Sequence, residues 1–348
     1  VTDVRVSAPG KLFLLGEYAV LEGAPALVMA VDRRAGVTAT ASENWRLTAS
    51  ELGVSGLALG PYGELPDVAL PDGALPGGLD PGTRSRLRLV DEVRRRVEAL
   101  PGVPSPPLDL AIDTSALHAD GAKLGLGSSA AVAVALAMAL ASARGIALGG
   151  PELFALAHDA HHAAQGGSGS GGDVAASVFG GLLIFRTGAS PTPAALPDGL
   201  ALFAVATGTG SSTIDLVGRV ASYREQDPAG ARRDLDALAV LAERARTALE
   251  DADAFLALAD DYFRALESLD AHARAGIVTE RHRELRDLAS ASGAVFKTTG
   301  AGGGDLGIVF AKLESTDELE SAFTQAGAAV IPVPASHDGA RFDGTATA

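Results

Sequence analysis

The chain is predicted to be an α+β protein of two domains, on three observations. Its 348 residues amount to about two domains at ~150 residues each. Strand-like and helix-like segments follow one another without the regular βαβ alternation of a parallel sheet. A Pro- and Gly-bearing link at Gly188–Gly199 separates a strand-bearing first half from a helix-rich second half. The boundary drawn there divides the chain into 1–187 and 188–348.

Taken in order, Val4–Ser7 alternates as a strand does, and Ala8-Pro9-Gly10 is expected to break it before the apolar run Lys11–Leu15. Ala26–Val31 and Gly36–Ala41, rich in Val, Thr and Ala, read as two strands. Residues 60–82 are dense in Pro and Gly and read as a loop or mobile flap. In Arg86–Leu100 the apolar positions Leu89, Val90, Val93, Val97 and Leu100 keep a helical period. Leu108–Asp113 is a strand, Ser128–Arg144 a helix entered from a glycine loop, and Pro151–Gln165 a helix with Pro in its first turn. Leu182–Arg186 and Leu200–Ala206 are strands. The second half predicts helices at Ser212–Gln226, Ala231–Glu250, Ala252–Leu269 and Thr279–Ser292. Strands at Ala294–Lys297 and Gly307–Leu313 frame a glycine loop, and a helix at Asp317–Ala326 and a strand at Ala328–Val333 follow.

Composition excludes several functions. Without cysteine there is no disulfide, thiolate zinc site or Cys nucleophile. A net charge of −15 argues against non-specific nucleic-acid binding and against an anionic membrane surface, while leaving a small anionic substrate open, because pockets are local. The N-terminus lacks a long apolar stretch, and the longest apolar run, Ala130–Ala141, is 12 residues against the ~18 of a membrane span. The expectation is a soluble cytoplasmic protein, with homodimerisation left open. Lysine occurs only at positions 11, 123, 297 and 312, and three of these four lie in or beside glycine loops.

Those loops are Pro9–Tyr18, Lys123–Ala131 and Lys297–Asp305. The second runs straight into a helix, with Ser128 and Ser129 where N-cap and first-turn residues belong. Unpaired N–H groups and the positive dipole end make that a natural phosphate site, although a plain Ser-capped helix has the same pattern. The third has four glycines in five positions between strands, more than a tight hairpin needs. Two G-x-G-x-x-G matches, starting at Gly167 and Gly302, lack the strand–helix setting of a dinucleotide fold, and no P-loop pattern occurs. His158, His161 and His162 share one helix face and admit a zinc reading, but no motif supplies the rest of a zinc site.

Together, in this order and spacing, the three loops resemble the three motifs of the GHMP kinases. Within that superfamily Gly16–Leu21 and Gly125–Ala131 resemble the mevalonate-pathway branch, and Gln165–Ser177 resembles the phosphomevalonate kinases. The resemblance implies an N-terminal half like ribosomal protein S5 domain 2, a GHMP-type C-terminal half, and ATP with Mg²⁺ in the groove between them. It implies phosphorylation of 5-phosphomevalonate to 5-diphosphomevalonate, with mevalonate kinase as the alternative. A non-catalytic sensor on the same fold should lack the lysine or the aspartate, and both Lys11 and Asp173 are present.

The residue roles follow from the same resemblance. Lys11 and Asp173 match the catalytic lysine and aspartate. Gly125, Leu126, Gly127, Ser128, Ser129 and Ala130 match the ATP-phosphate loop, with Ser129 as a Mg²⁺ ligand. Where mevalonate kinases carry a Mg²⁺-binding Glu, 11 positions before the aspartate, this chain has His162, and Glu17 is a weak substitute. Lys11, Glu17, Tyr18, Lys123, His161, Ser170, Gly171, Asp173, Ser212, Gly302 and Gly303 are the expected substrate contacts. Because a phosphomonoester is already largely dianionic at neutral pH (second pKa ~6), Asp173 is expected to orient Lys11 more than to act as a base.

Overall fold

Two antiparallel-rich sheets organise the chain, and the glycine loops lie where they meet. The computed structural model describes residues 3–66, 79–119, 122–208, 213–304 and 306–343. Of the predicted 60–82 flap, residues 67–78 lie outside the described residues.

The first half contributes strands β1 (Val4–Leu15), β2 (Ala26–Ala41), β3 (Arg46–Ala49), β4 (Val54–Ala58), β5 (Leu108–Asp113), the small hairpin β6 (His118–Ala119) and β7 (Ala122–Lys123), then β8 (Leu182–Phe185) and β9 (Thr192–Ala194). Its helices are α1 (Pro81–Glu98), α2 (Ser128–Ala143), α3 (Gly150–Ala164) and α4 (Gly172–Phe179). The second half adds β10 (Leu200–Ala206), β11 (Val295–Thr298), β12 (Leu306–Lys312), β13 (Val330–Ile331) and β14 (Arg341–Phe342). With them come α5 (Thr213–Gln226), α6 (Pro228–Glu243), α7 (Ala245–Ala248), α8 (Ala252–Ala273), α9 (Glu280–Ala291) and α10 (Thr316–Gln325). The larger sheet runs β14-β1-β2-β5-β3-β4, with β8 also on β2 and β9 on β8; the smaller runs β11-β12-β10-β13. Strands β9 and β14 both join the larger sheet, so residues on either side of the predicted 187/188 boundary build it.

Two expected breaks are absent. Pro9-Gly10 does not end the first strand: β1 runs through it, and the pairing with β2 absorbs the pair as a register shift between Pro9 and Gly10. Likewise the two strands expected at 26–41 are one continuous strand, β2. The expected helix Ala231–Glu250 is divided into α6 and α7 near Arg244. Strands β3, β4 and β9 and helix α4 were not foreseen.

The core that positions the site is the packing of α2 on β1 and β2. Helix α2 is alanine-rich and buried on nearly every side, with Ala131, Val134, Ala137 and Leu140 inaccessible or nearly so. Small side chains let it approach the sheet closely beneath Leu12, Leu14 and Met29. No helix of the described residues is long and apolar enough to cross a membrane.

Candidate active site

All three glycine loops line one cleft of about 1050 Å³. Helix α2 opens directly onto it. Its N-cap is Gly127, in the left-handed region at φ 76°, and not Ser128 as the sequence suggested, so Ser128 and Ser129 occupy the first turn. No side chain of the described residues caps this helix, which leaves its first N–H groups facing the cleft. Only glycine fits at 127: a Cβ there would come within 2.9 Å of the Lys11 side chain, which crosses the loop at that point.

Lys11 is held from both sides. Its backbone N–H donates to Leu126 O at 2.8 Å, its Nζ donates to Gly125 O at 3.3 Å, and the ammonium lies 5.6 Å from the Phe13 ring centroid. Asp173 stands in the first turn of α4, which is capped by Gly171 at φ 84°, so the aspartate is free of capping duty. Its Oδ1 accepts the Val174 N–H at 2.9 Å. Ser177 of the same helix donates to Pro9 O at 2.8 Å, which fixes α4 against the strand that carries Lys11.

His161 is buried, and its Nε2 is a meeting point. It lies 3.0 Å from Ser129 Oγ, 3.0 Å from Gln165 Nε2 and 3.9 Å from Asp173 Oδ2. The imidazole sits between the serine and the aspartate, and it lines a side recess of about 170 Å³ instead of the cleft. That recess is walled by Leu52, Leu87, Val90 and Ile112 and shares Lys123, Ser128 and Ser129 with the cleft.

Several expected contacts sit elsewhere. Glu17 borders the cleft, but its carboxylate is buried and locked: Oε1 accepts from Lys297 Nζ at 2.5 Å. Burial pushes the Glu17 carboxyl up and the Lys297 ammonium down, each against the attraction of the other. Glu17 is therefore a support of the site and no substitute metal ligand. Tyr18 also borders the cleft, with its hydroxyl donating to Ala301 O at 2.7 Å. Gly302 lines the cleft; at φ 79° a Cβ on it would meet Ile277 O at 2.5 Å. Gly303 is set back, its N–H donating to Ile277 O at 2.8 Å. Ala130 is buried inside α2, and Gly171 serves as the α4 cap. Lys123 and Ser170 line the cleft as expected. Ser212 lies outside the described residues, as does Asp305.

Sequence reasoning missed two contributors. Arg33 lines the cleft, its guanidinium donating to Pro332 O and Ala116 O, each at 3.2 Å. Thr299 ties the third loop to β1, accepting the Phe13 N–H at 3.1 Å and donating to Phe13 O at 2.9 Å. Arg33 carries no motif. Thr299 lies in the quoted loop, where only the glycines drew notice.

The donor set can be tested against magnesium. Mg²⁺ takes hard oxygens and keeps water and substrate phosphates beside one or two carboxylates. Ser129 Oγ and the Asp173 carboxylate flank one imidazole nitrogen at the cleft and meet that need in part. His162 adds no carboxylate; its ring stacks on His158 at 5.7 Å. No described group of three His, Cys, Asp or Glu forms a protein-only metal cage. The residues thus fit a magnesium ion carried chiefly by nucleotide phosphates.

The fold and the cleft describe a phosphate-binding enzyme built between two sheets, and the comparisons agree. The family model "GHMP kinases N terminal domain" matches residues 88–181. A phosphomevalonate kinase of Streptomyces sp. (strain CL190) is 34% identical, covering 94% of this chain and 95% of its own. A mevalonate kinase of Thermococcus sibiricus is 30% identical, covering 98% of each. The solved Streptococcus pneumoniae phosphomevalonate kinase in complex with phosphomevalonate and AMPPNP superposes with a TM-score of 0.77. It is 20% identical and covers 99% of this chain and 100% of its own, a likeness of fold. The chain belongs to the GHMP kinases. It is accordingly a phosphotransferase using ATP and a small-molecule acceptor, and the curated relatives named here are mevalonate-pathway kinases.

Proposed function

We propose that the protein transfers the γ-phosphoryl group of ATP to the phosphate of 5-phosphomevalonate, forming 5-diphosphomevalonate. The observation that carries the reading is the cleft's charge: Lys11, Arg33 and Lys123 all line it, beside the uncapped N-terminus of α2. One nucleotide polyphosphate can take the helix end and a lysine; further cations suit an acceptor that brings its own phosphate. The relative at 34% identity, a phosphomevalonate kinase, supports the same choice. Residues 1–187 would then carry the phosphate loop and 188–348 the third loop.

An acceptor phosphate oxygen attacks the γ-phosphorus, the bond from that phosphorus to the ADP oxygen breaks, and no proton need leave a dianionic acceptor. Lys11 neutralises charge on the transferred group. Asp173, whose Oδ1 accepts the Val174 N–H, lines the cleft with Lys11. The recess behind Ser128 and Ser129, with its aliphatic walls, suits a flat heteroaromatic base. Ser129 Oγ and Asp173 would hold the nucleotide's Mg²⁺, which supplies charge neutralisation when bound.

Mevalonate kinase is the second reading, favoured by the relative at 30% identity and by the availability of Asp173 as a base toward a hydroxyl. Purified protein with ATP and Mg²⁺ is expected to consume phosphomevalonate and leave mevalonate nearly untouched. The reverse preference would overturn the assignment.

A further inference from the structure

Away from the cleft, a cavity of about 610 Å³ opens between the ends of α5 and α8 and the start of α6. Three arginines line it, Arg219, Arg233 and Arg274, against one carboxylate, Asp227. The lining side chains thus sum to +2, and to +1 with the Asp234 carboxylate behind them, on a chain whose net charge is −15. The one carboxylate is engaged, its Oδ1 accepting the Gly230 N–H at 2.9 Å to cap α6. Among the described residues the guanidinium groups of Arg233 and Arg274 make no hydrogen bond or ion pair. Their neighbour Arg232, by contrast, pairs with Asp236 at 3.0 Å.

Arg274 is the unusual member. It ends α8 in the left-handed region, φ 51° and ψ 38°, where glycine is the ordinary residue. A long side chain in a strained position, aimed at a cavity it does not otherwise fill, calls for a role beyond ending the helix. A basic residue that merely complemented the helix dipole would serve equally well one turn earlier without that strain. Behind the arginines the wall is built. Buried Asp234 accepts from Tyr223 Oη at 3.0 Å and holds His272 Nδ1 at 2.8 Å, which fixes the imidazole that lines the cavity.

The same cavity touches the third glycine loop through one turn. Arg219 Nη1 donates to Ala275 O at 2.9 Å. The next three N–H groups, of Gly276, Ile277 and Val278, all donate to the Asp270 carboxylate. Ile277 O in turn accepts the Gly303 N–H at 2.8 Å. The geometry points to a second anion site, separate from the cleft, that takes a phosphorylated small molecule bearing a diphosphate or comparable polyanion across Arg219, Arg233 and Arg274. The turn at 275–278 links its occupancy to the third loop. Nothing in this site depends on which acceptor the cleft uses.

The test is calorimetric titration of the full chain with inorganic pyrophosphate while a non-hydrolysable ATP analogue saturates the cleft. One pyrophosphate per chain is expected to bind. Arg233→Ala and Arg274→Gly should each weaken it by roughly tenfold or more, as loss of a charged hydrogen-bonding partner does. Glycine suits φ 51°, so Arg274→Gly keeps the fold, which circular dichroism verifies, and basal kinase turnover without pyrophosphate should be unchanged. No binding under these conditions, binding that the nucleotide analogue abolishes, or equal affinity in both variants would overturn the proposal. Because the titration needs no turnover, its failure is distinguishable from a failure of the phosphomevalonate reading.

Discussion

The Lys297–Glu17 pair joins the first glycine motif to the third, and removing one partner is the sharpest probe of how the cleft is held. Lys297 is 0% exposed and Glu17 3%. The ammonium donates to Glu17 Oε1 and to Thr298 O and lies 5.8 Å from the Tyr262 ring centroid, while Glu17 Oε2 has no hydrogen-bond partner among the described residues. In Lys297→Met, Glu17 is left buried without its cation, a defect of about 3–5 kcal/mol. The variant relieves it by keeping a proton. Burial already pushes this carboxyl above its ordinary value of 4.5, and loss of the lysine pushes it further. Over the range where the folded variant keeps that proton and the unfolded chain has lost it, folding becomes less favourable as pH rises. Stability of the variant relative to wild type therefore falls by about 1.4 kcal/mol per pH unit. Urea unfolding followed by circular dichroism should show Lys297→Met strongly destabilised at neutral pH and progressively less so as pH falls toward the ordinary carboxylate range. Glu17→Gln combined with Lys297→Met should recover most of the loss at neutral pH, because replacing both members of a buried pair removes the orphaned charge. A pH-independent loss, a neutral-pH midpoint equal to wild type, or a double variant no better than the single would refute the reasoning.

Two further predictions concern catalysis and pH. Lys11→Ala and Asp173→Ala should each lower kcat by roughly 10²–10⁴ with circular dichroism unchanged, and near-normal rates in both would remove them from the chemistry. His282 is buried in the capping box of α9, where its Nδ1 accepts the Thr279 N–H at 3.0 Å, and burial holds its pKa down to about 4 from an ordinary 6.5. The unfolded state therefore takes the proton first, and stability is lost as pH falls from about 6.5 toward 4, by about 3 kcal/mol in total. His282→Gln should flatten that part of the urea-midpoint profile, and an unchanged slope would exclude the residue.

The fold was legible where pattern and local chemistry agreed. The period of α1, the glycine entry to α2 and the strands around the third loop all follow from spacing. It was illegible where a long-range pairing overrode a local breaker. Pro9-Gly10 reads as an end, yet pairing along β2 carries β1 through it with a register shift, a compensation no single segment reveals. The candidate site divides in the same way. Lys11, Asp173 and the phosphate loop stand in motifs. Arg33, Thr299 and the pairing of Glu17 with Lys297 depend on contacts between residues up to 299 positions apart. Glu17 shows the cost of reading a carboxylate by type alone: beside a glycine loop it looks like a metal ligand, and only its buried partner assigns it to support.

The distribution of cations resolves how so acidic a chain handles phosphates. Of the four lysines, Lys11 and Lys123 line the cleft, Lys297 is wholly buried with Glu17, and Lys312 pairs with Asp253 on the surface. Of the four, Lys11 and Lys123 face the cleft, and under the proposed reaction two phosphate-bearing substrates need more neutralisation than two lysines give. The remainder must come from Arg33 and from N–H groups that the fold leaves unpaired, above all at the uncapped start of α2. Such donors add no formal charge and require glycine at the approach, which is why Gly127, confined by the Lys11 side chain, cannot be replaced without moving the lysine itself. Phosphate affinity in this cleft is thus a property of backbone geometry first and of side-chain charge second, and the two are joined at one contact between Gly127 and Lys11.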